Sequence, residues 1–241
     1  MKGLVLAAGK GKRLNSLSQK LNLPKALIPV FNRPMIEYGL DNFKKTKIKE
    51  ICIIIPPGEK EKFRKSLEKY DFEFTYLIQK VAQGTAKALE LAKDFIGEEN
   101  ILLTYCDLIT FYDFNKLILE HKKYRPIATI LVNKEEDPQV TGLVKWEGEY
   151  VTRIVEKPKE KFSDYGSAGL MVLEPIIFSA LPYIQPTAEG EYHIGDALQY
   201  LIDRGHKVRY KIIDTWRINL NKPEDIEKAE KLVKEKRTTF Y

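Results

Sequence analysis

Leu4–Val30, LVLAAGKGKRLNSLSQKLNLPKALIPV, is the stretch around which the chain is organised. Its first residues belong to an apolar run, Lys2 to Leu6, with the length and composition of a buried strand. The run then breaks into small residues, Ala7-Ala8-Gly9-Lys10-Gly11, where no bulky side chain would keep a ligand from the backbone. Cations follow at Lys10, Lys12 and Arg13, and Lys25 stands directly after a proline. A strand feeding a small-residue loop loaded with positive charge is a phosphate site in outline. Backbone N–H, guanidinium and ammonium groups all offer donors to anionic oxygens.

Two familiar phosphate loops are excluded. A P-loop needs Ser or Thr after its Gly-Lys, and here Arg13 follows Gly11-Lys12, with Leu6 where the first glycine should stand. The dinucleotide fingerprint needs a third glycine, and Leu14 occupies that position. A plain basic surface turn is the bland alternative; the interleaving of small residues with cations argues against it.

Outward from this stretch, the first half alternates strand and helix. Pro34 is placed at the first position of a helix whose apolar stripe is Met35, Ile36, Leu40 and Phe43 and whose end is Lys44-Lys45. Ile51–Ile55 is a fully apolar strand closed by Pro56-Pro57-Gly58, as in the middle of a parallel sheet. Helix Lys60–Tyr70, strand Phe72–Ile78, helix Thr85–Phe95 and strand Asn100–Tyr105 continue the pattern. In the second half Ile127–Val132, Gly142–Trp146, Val151–Val155 and Gly169–Leu173 read as strands with little helix between them. Helices are expected at Ile194–Asp203 and from Pro223 to about Glu235. The pattern predicts a single α/β domain, Rossmann-like, with a mostly parallel sheet flanked by helices and a smaller antiparallel sheet region added in the second half.

Open parallel sheets bind ligands beyond the carboxyl ends of their strands. The Gly/cation loop lies there, as do Gln79-Lys80-Val81-Ala82-Gln83-Gly84-Thr85-Ala86 and Cys106-Asp107. An amide such as Gln79 offers a donor and an acceptor to a pyrimidine edge, and a glycine lets the ring approach the backbone. Read singly, Gln79 is equally an exposed strand end and Thr85 a helix cap. Asp107 is a natural hard-oxygen ligand for Mg²⁺ beside a substrate phosphate, or else an ordinary loop cap.

The two-part stretch LAAGKGKRL…LPKALIPV resembles the signature of the sugar-phosphate nucleotidyltransferases, the family containing glucose-1-phosphate thymidylyltransferases and the uridylyltransferase domains that make UDP-sugars. It departs from the usual form at Lys12, where Thr or Ser is common. The resemblance implies that Arg13 contacts the outgoing pyrophosphate and Lys25 the phosphate being transferred. It also implies that Leu6, Ala7, Ala8, Gly9 and Gly11 line the nucleotide and that Gln79, Gly84 and Thr85 read its base. Val155-Glu156-Lys157-Pro158 resembles the family's Glu-Lys-Pro segment, in which Glu156 would hold sugar hydroxyls and Lys157 the sugar-1-phosphate. Alone, that Glu–Lys pair would be an ordinary surface pair. Gly142 matches the family's glycine strand, and Ser167-Ala168-Gly169 its Asn-Ala-Gly segment with Ser for Asn. Near Trp216–Asp225, Asn219 falls where the family places a second metal-binding Asp, and Asp214 is a nearby carboxylate that would compensate. Mg²⁺ on Asp107 and Asn219 is the implied cofactor. The nucleotide half is expected over about 1–125 and the sugar-phosphate half over about 126–241.

Bulk properties fit such an enzyme. The chain has 241 residues, 44% hydrophobic and 31% charged, with a net charge of +6. Lys and Glu are mixed along it, so no nucleic-acid partner is implied, while anionic small molecules would use the surplus. The Lys/Glu richness, with two Cys and three Met, is a composition of hot-environment proteins. Cys52 and Cys106 read as small core residues without metal-ligand spacing. No signal peptide and no membrane-length apolar run are expected, so a cytoplasmic enzyme is the default. With the sequence running only a short way past the Pro223 helix, the hexapeptide-repeat acetyltransferase domain of some relatives is not expected, and the resemblance allows for a homo-oligomer.

Together these expectations give an enzyme joining an NTP, UTP or dTTP first, to a glucose- or GlcNAc-type sugar-1-phosphate, with an NDP-sugar and pyrophosphate as products. The acceptor's own phosphate is the nucleophile, so no protein base is needed and His121, His193 and His206 read as bystanders. The alternatives are a cytidylyl- or guanylyltransferase for inositol- or mannose-phosphate, a glycosyltransferase, and a non-catalytic nucleotide or sugar-phosphate sensor of the same fold. A glycosyltransferase would usually carry Asp-x-Asp where this chain has Asp107-Leu108-Ile109.

Overall fold

The computed structural model describes residues 1–9, 11–134 and 141–239, with backbone alone at Lys12 and 235–239; Lys10 and the Lys12 side chain lie outside the description. Strand β1 (Lys2–Leu6) leads through a helical turn at Lys12–Leu14 to α1 (Asn15–Leu21). A short hairpin, β2 (Pro29–Val30) and β3 (Arg33–Pro34), precedes α2 (Glu37–Lys44). Alternating units follow: β4 (Glu50–Ile55), α3 (Lys60–Leu67), β5 (Glu73–Ile78), α4 (Thr85–Leu91), α5 (Lys93–Ile96) and β6 (Ile101–Tyr105). After β7 (Leu108–Thr110) and α6 (Phe114–Tyr124) come β8 (Ala128–Lys134), β9 (Gly142–Glu147), β10 (Tyr150–Glu156) and β11 (Tyr165–Leu173). The described chain closes with α7 (Ile177–Ala180), α8 (Ile194–Ile202), β12 (Val208–Ile212), β13 (Arg217–Asn219) and α9 (Pro223–Thr239).

One nine-stranded sheet has the order β5-β4-β1-β6-β11-β8-β12-β10-β9, and a further pairing of β9 with β11 curls its second half into a small closed ring. β1 is parallel to both neighbours and its side chains alternate between two cores. Leu4 and Leu6 pack with α4 and α8 on one face, and Val5 with α2, α3 and α6 on the other. Burial on both faces is why β1 and β4 read as unbroken apolar runs.

The expected mostly parallel sheet is corrected to a mixed one. Only the β5-β4-β1-β6 half is uniformly parallel. β11 joins it antiparallel to β6, and its start pairs back with β9 and β8. The nine-residue strand serves both halves, and its register against β8 shifts between Ser167 and Met171, around left-handed Gly169. The sheet region expected to be added in the second half is an extension of the same sheet, and it is curled shut.

Pro34 is a second correction. Phe31 and Asn32 both have positive φ, 48° and 60°, and turn the chain back on itself. Pro34 thus lies in the return strand opposite Pro29, and the helix starts at Glu37. The helix expected over Thr85–Phe95 is divided into α4 and α5 at Ala92. Among the described residues no helix is long and apolar enough to cross a membrane.

Candidate active site

The carboxyl ends of β1 and β6 open onto a cleft of about 380 Å³, lined among others by Arg13, Lys25, Asp107, Glu156 and Asn219. A second space of about 200 Å³ adjoins it across Lys25, Thr85, Asp107, Glu191 and His193, and is lined by Leu6, Ala8, Gly9, Gln79 and Gly84. A third, of about 400 Å³, lies beyond Ala7 and Gln79 against Pro56 and Pro57. Arg13, Lys25, Asp107, Asn219 and the residues expected to bind nucleotide and sugar phosphate each line one of these three spaces. Gly11 lies in the first, as do Gly142, Lys157 and Ser167.

The opening stretch delivers its cations through local geometry. Gly11 is left-handed, and the Leu14 N–H donates to the Gly11 carbonyl at 2.7 Å, which tightens the turn carrying Arg13. Pro24 in extended backbone precedes the helical turn Lys25–Leu27. There Lys25 Nζ donates to Asp107 Oδ2 at 2.6 Å, with the two side chains 12% and 17% exposed. Burial pulls the Lys25 ammonium down, but Asp107's charge and hydrogen bond outweigh it, and the net shift is upward. The neighbouring Cys106 thiol is pushed up to about 12 by burial and by Asp107. It is a core thiol rather than a nucleophile.

Asp107 and Asn219 are brought together by a pairing that the sequence does not announce. β13 runs antiparallel to β7, with Asn219 opposite Leu108, and the Leu220 N–H donates to the Asp107 carbonyl at 3.0 Å. Asp107 Oδ1 and Asn219 Oδ1 are both buried acceptors with no hydrogen-bond partner. Two orphaned hard oxygens in one cleft fit a Mg²⁺ ion that draws its remaining ligands from phosphate and water. Among the described residues no group of three or more His, Cys, Asp or Glu is placed to hold a metal. Asp214 does not line the cleft; it pairs with Lys116 at the surface.

On the ring side, Glu156 lies directly opposite Gly142 in the β9–β10 pair. A Cβ on Gly142 would stand 2.8 Å from Glu156 Oε2, so the glycine is what leaves room for this carboxylate. Burial raises the Glu156 carboxyl above its usual range, opposed by His193 and Lys157. Lys157 follows in left-handed backbone, φ 42°, an uncommon state for a residue with a side chain. Its N–H donates to Thr141, whose hydroxyl in turn donates to the Ser167 carbonyl at 2.9 Å.

The loop from Gln79 to Thr85 is held by a segment, residues 191–194, that no motif in the sequence marks. Gln79 is buried and its amide N–H donates to the Gly84 carbonyl at 3.2 Å. Gly84 has φ 96°, and a Cβ there would stand 2.3 Å from the Tyr192 carbonyl, so only glycine fits. The Tyr192 N–H donates to the Gln83 carbonyl and its own carbonyl accepts from Ala86. The Ile194 N–H donates to Thr85 Oγ1 at 3.1 Å. This strap puts Glu191 and His193 into both adjoining spaces. His193, expected to be a bystander, is therefore part of the cleft wall. His121 is remote and buried; its Nδ1 lies 3.0 Å from Thr129 Oγ1 and its Nε2 3.3 Å from the Asn100 amide.

Comparison with known proteins gives a consistent picture. A family model described as nucleotidyl transferase matches residues 2–234. The low-salt glycan biosynthesis nucleotidyltransferase Agl11 of Haloferax volcanii is 32% identical over 98% of this chain, which spans 66% of Agl11's length. From the same organism, the UTP–glucose-1-phosphate uridylyltransferase AglF is 29% identical over 99% of this chain and 98% of its own. A solved structure described as a glucose-1-phosphate thymidylyltransferase from Bacillus anthracis, in complex with sucrose, superposes with a TM-score of 0.86. It is 29% identical and covers 96% of this chain and 94% of that one.

Proposed function

The chain belongs to the nucleotidyl transferase family, and from that premise we propose that it joins a nucleoside triphosphate, UTP or dTTP, to a glucose- or N-acetylglucosamine-type sugar-1-phosphate. The products are an NDP-sugar and pyrophosphate. The observation that carries this reading is the buried Lys25–Asp107 pair, set in one cleft with Arg13 and with the Glu156–Lys157 strand end. Relatives named for uridylyl and for thymidylyl transfer support the choice of a pyrimidine triphosphate.

The acceptor phosphate is ionised near neutral pH and attacks the α-phosphorus of the triphosphate in line, with pyrophosphate leaving from the opposite side. The protein has no proton to move; it has to hold mutually repelling anions in line. Lys157 anchors the acceptor's phosphate and Glu156 accepts hydrogen bonds from its sugar hydroxyls. Lys25 leaves Asp107 for the α-phosphoryl group, and Arg13 holds the departing pyrophosphate. Gln79, Gly84 and Thr85 form the edge against which the base lies. Asp107 and Asn219 would hold Mg²⁺, which supplies charge neutralisation between the phosphates. The reading sets the enzyme in the cytoplasm, where nucleoside triphosphates are held.

Removing one such charge-assisted contact costs about 2–4 kcal/mol of transition-state stabilisation. Arg13→Ala and Lys25→Ala are each expected to lower kcat by about 30- to 1000-fold, with circular dichroism spectra unchanged. Turnover near the wild-type rate in either variant would refute the assignment.

A further inference from the structure

The cleft is electrically divided, and the division bears on which acceptor it takes. Cations gather at the phosphate end, where Arg13 and Lys25 come from the opening loop. At the other end the Glu156 carboxyl has Asp196 and Glu191 as acidic neighbours and His193 and Lys157 as basic ones. Glu191 Oε2 lies 3.8 Å from His193 Nε2, and the Glu191 side chain remains 33% exposed, facing the two spaces that it lines. The floor beneath is apolar, made by Ile130, Met171 and Leu198, which belong to the main core. Gly142 and Gly195 add no side chain at this end.

We propose that Glu156 and Glu191 act as a charge filter, so that the site accepts sugar-1-phosphates whose only anionic group is the phosphate and turns away those carrying a second anion, such as uronic acid 1-phosphates. The proposal rests on the reading above that the Glu156–Lys157 side holds the acceptor. Neutral sugar hydroxyls donate to both carboxylates. A ligand carboxylate in the same place would face two acidic side chains over an apolar floor, where its lost hydration is not replaced and like charges repel. Specificity of this kind comes from the repulsive element as much as from the attractive one.

The test compares kcat/KM for glucose-1-phosphate and glucuronic acid 1-phosphate, with UTP and dTTP supplied together, in the wild type, Glu191→Gln and Glu156→Gln. The amide keeps the size of each side chain and removes its charge. The wild type is expected to favour glucose-1-phosphate by at least about 100-fold, and each variant to narrow that ratio by at least about tenfold. A purely structural role would slow both substrates together and leave the ratio unmoved. An unmoved ratio in both variants, or equal use of the two sugars by the wild type, overturns the filter alone. Absence of pyrophosphate from every sugar-1-phosphate overturns the proposed function and the filter with it.

Discussion

In the proposed Mg²⁺ site, Asn219 stands beside Asp107 where a second carboxylate would add charge. Its carbonyl oxygen is buried and unpartnered like Asp107 Oδ1, but it brings no negative charge to a divalent ion. Asn219→Asp is therefore expected to bind Mn²⁺, read by titration calorimetry without nucleotide, about tenfold more tightly than the wild type, and Asp107→Ala to abolish that binding. Equal affinities in the wild type and Asn219→Asp would show that position 219 does not reach the metal. Which residues belong to the cleft was legible to different degrees. Arg13 and Asp107 follow strand ends in the sequence, and strand ends of a parallel sheet share a rim. Lys25 lies beyond α1 and was legible only through the family motif. Glu191 and His193 precede a helix instead, and only the approach of Tyr192 to Gly84 brings them in.

Elements are held to one another by a few buried polar contacts, and His121 is the clearest of them. It lies on α6 against Thr129 of β8 and Asn100 at the head of β6, only 2% exposed. Burial lowers its imidazole to about 4, against about 6.5 in an unfolded chain. Between those values the unfolded state binds more protons, so stability falls as pH drops from about 6.5 towards 4, and this contribution loses nothing more below that. Urea denaturation at pH 7.5 and pH 4.5 should show about 2–3 kcal/mol more loss in the wild type than in His121→Gln, which has no imidazole to protonate. Identical losses would place the acid sensitivity elsewhere. Element boundaries were misread where a local turn competed with helix signals. Met35, Ile36, Leu40 and Phe43 do form a buried stripe, but the left-handed pair Phe31-Asn32 spends Pro34 on a hairpin first. Two adjacent positive-φ residues without glycine leave little trace in a sequence.

At the scale of the molecule, the apolar runs of β1, β4 and β6 specify a parallel half, because strands buried on both faces need no alternation. The curled half was not legible in the same way. Its closure depends on one bent strand, β11, meeting β9 at Gly166 and β6 from Leu170 onward, a pairing set by tertiary contacts rather than by periodicity. That closure brings Glu156 and Lys157 into the cleft that Arg13 and Lys25 line, the juxtaposition on which the proposed transfer depends. The most direct test is pyrophosphate release across a matrix of nucleoside triphosphates and sugar-1-phosphates, with Mg²⁺ and at elevated temperature, each pair run with the wild type and with Lys25→Ala. The expected result is stoichiometric pyrophosphate and NDP-sugar from UTP or dTTP with a glucose-type 1-phosphate, requiring both substrates and lost in the variant. Nucleotide binding without pyrophosphate from any pair would contradict it.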